Sequence, residues 1–197
     1  MTLSPDLDYL MRSLSCVLFD GNKDHEALIQ ELDSSAKLKS ITIEMGKGDW
    51  FVFSPDEGRK CKRIDQQAKN IVVMSPLLTI QNSFNHHRAC DAVIFIKKEN
   101  RLIVLYLELK SNKITGYKAQ FQSTRQFVRY LIGLYEEFEG GNLPIYEERY
   151  IVFHTKNINK RTTAIKGNKI KETTPDYPYK RAISDGGSLY LNELIFK

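Results

Sequence analysis

The chain has 197 residues, 42% hydrophobic and 27% charged, which places it with soluble globular domains that bury a full core and outside the disordered range. No run approaches the roughly 20 apolar residues that cross a bilayer, and the start, Met1 to Asp6, lacks the basic segment of a secretory signal, so a cytoplasmic protein without membrane attachment is expected. Cys16, Cys61 and Cys90 are too few and too scattered for a disulfide framework or a Cys-rich metal site, and a net charge of +5 with a pI near 9.0 suits a polyanionic partner without requiring one.

Along the chain, Leu7, Leu10, Met11, Leu14, Val17 and Leu18 recur at three- and four-residue steps, which predicts an amphipathic helix from Asp6 to Leu18, opened by Ser4-Pro5 and ended by Asp20-Gly21-Asn22. A second helix is expected from Asp24 to about Ala36, with Ala27, Leu28 and Leu32 on one face and Glu26, Glu31 and Asp33 elsewhere. Ser40 to Met45 and Trp50 to Phe53 read as two strands of a hairpin turning through Gly46-Lys47-Gly48-Asp49. Asn70 to Ile80 is apolar but interrupted by Ser75-Pro76, which argues for an edge or a break.

Two further runs, Asp91 to Lys97 and Arg101 to Lys110, are nearly continuously apolar and separated by a short polar stretch at Glu99-Asn100. They predict a hairpin in the middle of a sheet, with helices covering both faces. After a loop from Ser111 to Gly116, a long helix is expected from Tyr117 to about Phe138, stopped by Gly140-Gly141, and then a strand from Tyr150 to Thr155. A basic segment follows, holding Lys156, Lys160, Arg161, Lys166, Lys169 and Lys171, either a solvated face or a phosphate-tracking one. The stretch from Thr173 to Arg181 is turn-rich, and the apolar run from Leu189 to Phe196 is open between strand and helix. The whole reads as one domain, 1–197, with N-terminal helices and strands in 1–84, a core in 85–155 and a basic part in 156–197.

Chemistry concentrates on the central hairpin. A two-residue turn at Glu99-Asn100 sets Asp91 opposite Glu108, and strand alternation adds Lys110 to their face while Leu107 and Leu109 point the other way. Two crowded carboxylates repel unless a cation or a shared proton relieves them. Oxygen ligands favour Mg²⁺ or Mn²⁺, with Asp91 and Glu108 as ligands, the Leu109 carbonyl as a further one, and Lys110 placed to orient a water or to stabilise charge on an attacked phosphate. A Glu-X-Lys triplet on its own is a common surface pair. It gains weight here from the Asp that opens the preceding strand, the apolar strands between, and the long helix after it.

Asp91, the hydrophobic hairpin and Glu108-Leu109-Lys110 together resemble the core of the PD-(D/E)XK nuclease superfamily, and Gln126-Phe-Val-Arg-Tyr130 on the long helix is similar to the Gln-X-X-X-Tyr element of its RecB-like members. Cys90 stands where the family's namesake proline would precede Asp91. The resemblance implies an α/β fold of the restriction-endonuclease type, a central mixed sheet flanked by helices, that hydrolyses DNA with Mg²⁺ or Mn²⁺, with RNA left open. It also implies an acidic residue from the first core helix, for which Glu31 is the first choice and Glu26 the second, and roles for Gln126 and Tyr130 at the metal or the DNA backbone. Restriction, phage defence, repair and mobile-element settings all suit such a chain, alone, as a homodimer or beside a partner subunit.

Lys118, Gln120, Gln122, Arg125 and Arg129 add polar groups to the helix that could meet phosphate, as could Lys160, Arg161, Lys166 and Lys169 downstream. His86 and His87 read as two solvent-facing imidazoles in a loop before Asp91, with substrate orientation and metal ligation as the other readings, and His154 as a core residue. The rival readings are a non-catalytic nucleic-acid-binding or protein-interaction subunit on the same fold, and a structural protein in which Glu108-Leu-Lys110 is coincidental.

Overall fold

The computed structural model of the chain describes residues 3–14, 17–20, 25–31, 33–56, 78, 84–111, 114–155 and 172–195. Helix α1 spans Pro5–Arg12, with Ser4 as its N-cap residue and Pro5 at the first helical position. It is shorter than the apolar periodicity predicts, because Val17 begins strand β1, Val17–Asp20. The second expected helix is absent: Glu26–Gln30 is strand β2, in which Ala27 and Ile29 are buried and the flanking residues exposed. That alternation of two is a strand's signature, and antiparallel pairing with β3, Ser40–Glu44, imposes it over the local helical pattern.

Strand β4, Asp49–Phe53, does not pair with β3. The Gly46 to Gly48 connection carries the chain from one sheet to another, with Gly46 at φ 68° and its carbonyl accepting the Trp50 indole N–H at 3.2 Å. Strands β5, Ala92–Lys98, and β6, Arg101–Lys110, form the expected hairpin through Glu99-Asn100, in the register that pairs Ala92 with Leu107 and Lys98 with Arg101. Glu99, at φ 56°, absorbs the left-handed step of the turn. Helix α2, Tyr117–Glu139, ends on Gly140 in the left-handed conformation, as its sequence predicts. It is the crossover that allows β7, Ile145–His154, to run parallel to β6.

The turn-rich stretch hides strand β8, Tyr179–Ala182, and the final run resolves into β9, Gly187–Tyr190, followed by a 3-10 turn, Leu191–Glu193. Residues 172–195 therefore complete both sheets: β8 lies beside β7, and β9 runs parallel to β3. The large sheet has the order β1-β4-β5-β6-β7-β8 and the small one β2-β3-β9.

The protein is α/β with two mixed sheets, and its layering departs from helices on both faces. Leu7 and Leu10 of α1 and Phe121, Val128, Leu131 and Ile132 of α2 pack on one face of the large sheet, against Phe51, Phe53, Val93, Phe95, Val104 and Tyr106. The other face, with Trp50, Ala92, Ile94, Leu105, Leu107 and Leu109, is covered by Ala27, Ile29, Ile41, Ile43 and Leu189 of the small sheet. Burial on both faces is why β5 and β6 read as unbroken apolar runs. The apolar stretch from Asn70 to Ile80, apart from Leu78, lies outside the described residues, as does the basic segment from Lys156 to Lys171. No helix among the described residues is long and apolar enough to cross a membrane.

Candidate functional site

Strand alternation decides which side chains meet at the end of the sheet where β6 finishes. Val93 and Phe95 of β5, and Val104 and Tyr106 of β6, face the helices. Asp91, just before β5, and Glu108 and Lys110 share that side by the same period of two, while Leu107 and Leu109 face the small sheet. Asp91 is 4% exposed and Glu108 0%. Asp91 Oδ2 accepts the main-chain N–H of Leu109 at 2.5 Å. Leu109 thus contributes its N–H to the orientation of Asp91.

The Lys110 ammonium contacts Glu108 Oε1 and donates to Gln120 Oε1 at 3.1 Å. Glu31 follows β2 rather than lying on a helix, yet it reaches this corner. One carboxylate oxygen each of Glu31, Asp56 and Asp91 lies within 4.8 Å of the others. Glu26 is exposed and belongs to a cleft at the other end of the small sheet. Ser111 helps to hold the arrangement: its Oγ accepts the N–H groups of Lys37 at 2.6 Å and Leu38 at 3.2 Å, tying the turn before β3 to the end of β6.

Burial pushes the Asp91 carboxyl well above the ordinary carboxylate range, and the charges of Glu108 and Glu31 push it further, against the Leu109 N–H and Lys110. Glu108 is pushed up to about 7, first by burial and then by Glu31, with Lys110 and the Gln120 hydrogen bond opposing. Burial alone would lower the Lys110 ammonium, but Glu108, Asp91 and Glu31 outweigh it and raise the value, so the lysine stays charged. Glu108 Oε2 is buried with no hydrogen-bond partner among the described residues. Asp91 and Glu108, raised first by burial and then by neighbouring acids, one with an orphaned oxygen, belong to a set that a hard divalent cation would satisfy. Glu31, Asp56 and Asp91 are close enough to share one ion, and Glu108 stands beside Asp91.

Gln126 and Tyr130 are not brought to the carboxylates. Gln126 is exposed and Tyr130 is 64% exposed. The α2 side chains that face the site are Gln120, Ser123 and Thr124, which bond the segment leading into Asp91: Gln120 Nε2 to Ala89 O at 3.1 Å, Ser123 Oγ to His86 O at 2.8 Å, and Cys90 N–H to Thr124 Oγ1 at 3.1 Å. Other basic groups of the helix are already engaged. Arg125 and Arg129 pair with Glu148, and Lys118 with Asp176.

His87 is buried at 7% exposure, with Nε2 3.3 Å from Leu78 O, so the expectation of two solvent-facing imidazoles does not hold for it. His154 is buried and lies in register beside Lys110. Cys90 is a free, buried thiol. Lys160, Arg161, Lys166 and Lys169 lie outside the described residues.

Sequence reasoning missed Asp56 and Ser111, and grouped Gln120 only with the helix side chains that could meet phosphate, without its contact to Lys110. The signal for Gln120 was its place one helical turn after the start of α2, facing the strand end. Asp56 carried none, since only the pairing of β4 with β5 brings it beside Asp91. Comparison with family profiles, with curated proteins and with solved structures finds no match to the chain.

Proposed function

We propose that the chain is a metal-dependent nuclease of the PD-(D/E)XK type that hydrolyses phosphodiester bonds of DNA with Mg²⁺ or Mn²⁺. The observation that carries this reading is the meeting of Glu31, Asp56, Asp91 and Glu108, from four separate segments, beside a lysine at the end of an otherwise apolar sheet. Burying Asp56, Asp91 and Glu108 in one corner with the half-buried Glu31 serves no packing purpose, and their mutual repulsion is relieved by a divalent cation. A helix, an antiparallel three-strand meander, a crossover helix and a parallel strand, arranged as α1, β4-β5-β6, α2 and β7, support the restriction-endonuclease-like assignment.

Glu31, Asp56, Asp91 and Glu108 would hold the ion, and when bound it supplies Lewis-acid polarisation of the phosphodiester and an activated water. The chain's own residues do the rest. The Leu109 N–H fixes one oxygen of Asp91 and so orients the carboxylate. Glu108 holds the Lys110 ammonium at the mouth of the site, where its positive charge offsets the charge that develops on the attacked phosphate. A cytoplasmic setting, where nucleic acid and free Mg²⁺ are both present, suits the reaction.

Calorimetry with Mg²⁺ and Mn²⁺, followed by cleavage assays on linear, circular and single-stranded DNA and on RNA, tests the reading. Stoichiometric metal binding and metal-dependent cleavage are expected. A protein that binds neither ion and cuts none of the four substrates would refute it.

A further inference from the structure

The Lys110 ammonium has three N–H donors. One meets Glu108 Oε1 and a second meets Gln120 Oε1 at 3.1 Å. The other end of the same amide, Gln120 Nε2, donates to Ala89 O at 3.1 Å. Neither bond can run the other way, because an ammonium cannot accept and a carbonyl cannot donate, so the two partners fix the orientation of the Gln120 amide. One side chain therefore ties the end of β6 to the segment that delivers Asp91.

We infer that Gln120 is a positioning residue for the nuclease reaction: it holds Lys110 so that the remaining N–H serves the scissile phosphate. The inference rests on the nuclease reading. Anchoring the Asp91 segment does not by itself explain Gln120, because Ser123 and Thr124 already bond His86 O and the Cys90 N–H. What Gln120 adds is its contact with the Lys110–Glu108 pair. A lysine on a flexible four-carbon stem needs such a second partner to keep one geometry, and small displacements of a reacting group carry large losses in rate.

Two variants and two readouts test it. Gln120→Met keeps the shape and removes the bonds to Lys110, Ala89 and Glu108, whereas Gln120→Glu keeps an acceptor for Lys110 and loses the amide donor. Gln120→Met is expected to lower kcat roughly 10- to 100-fold at saturating Mg²⁺, with KM for DNA within about twofold of the parent, and Gln120→Glu to restore most of the rate. In the metal-free protein, the Lys110 ammonium signal in proton–nitrogen NMR is expected to be protected from solvent exchange in the parent and lost in Gln120→Met. Equal losses in both variants would make Gln120 a structural clamp on the Ala89 segment and overturn the inference. So would an unchanged Lys110 signal in Gln120→Met. The NMR measurement needs no cleavage, so a parent protein that cuts nothing would sink the nuclease reading while the signal still decided the role of Gln120.

Discussion

Replacing Glu108 by Gln should remove metal binding and, in metal-free protein, make the fold more stable above neutral pH. Glu108 is fully buried, and its carboxyl is raised from 4.5 to about 7 by burial first, then by Glu31. A raised carboxyl binds its proton more tightly in the folded chain than in the unfolded one. The resulting stabilisation is fully present below pH 4.5 and is lost as pH rises toward 7. The gap between 4.5 and about 7 corresponds to about 3 kcal/mol for this one group, as an order of magnitude. Asp91, raised in the same direction, steepens the trend. The Gln side chain keeps an oxygen for Lys110 and carries no charge, so Glu108→Gln should flatten the pH dependence and exceed the parent in stability at pH 8 by up to about 3 kcal/mol. Urea denaturation in chelator at pH 5 and pH 8 measures this, with the fluorescence of Trp50, the one tryptophan and 1% exposed, as the probe. Excess Mg²⁺ should then stabilise the parent and leave the variant unchanged. A parent whose metal-free stability holds or rises between the two pH values would refute the reasoning, as would a variant less stable than the parent at pH 8.

Lys110→Gln is expected to keep metal binding by calorimetry and to lose roughly two to four orders of magnitude in rate, the scale for removing a charge-stabilising group. Asp56→Asn should weaken Mg²⁺ binding by at least about tenfold while the protein remains folded by circular dichroism, because it removes one charged oxygen from the cluster. Neutralising Lys160, Arg161, Lys166 and Lys169 together should weaken DNA binding equally across sequences, and each lost phosphate contact should reduce the slope of log affinity against log salt by about one, read by fluorescence anisotropy.

The parts of the site legible in the sequence are those that neighbouring residues determine. The β5–β6 hairpin announced itself through two apolar runs and a two-residue turn, and its register followed from the turn length, which is why Asp91, Glu108 and Lys110 could be grouped in advance. Helix α2 and its Gly140 stop were equally local. What failed depended on partners distant in the chain. Strand β2 read as a helix because Ala27, Leu28 and Leu32 suit one, and only pairing with β3 makes the Ala27 and Ile29 alternation count. The Gly46 to Gly48 turn looked like a hairpin because nothing local reveals that the chain changes sheets there. Gln126 and Tyr130 stood at a plausible spacing, but helical phase is set by packing, and Phe121, Val128 and Ile132 turn Gln120 rather than Gln126 toward the strands.

The small sheet has a consequence for when the site can exist. Glu31 depends on β3, since its N–H bonds Lys39 O, and the foot of β3 is held in turn by Asp185, whose Oδ1 accepts the Lys39 and Ser40 N–H groups at 2.7 and 3.0 Å. Strand β9 then lines the far side of β3. On the ribosome, where a chain emerges from its N-terminus, Asp91, Glu108 and Lys110 would all be made before Asp185 arrives to lock the foot of β3, to which Glu31 bonds. The carboxylate corner is thus completed only once Asp185 has been made, and a chain that stops short of it lacks the lock on the strand that Glu31 bonds to.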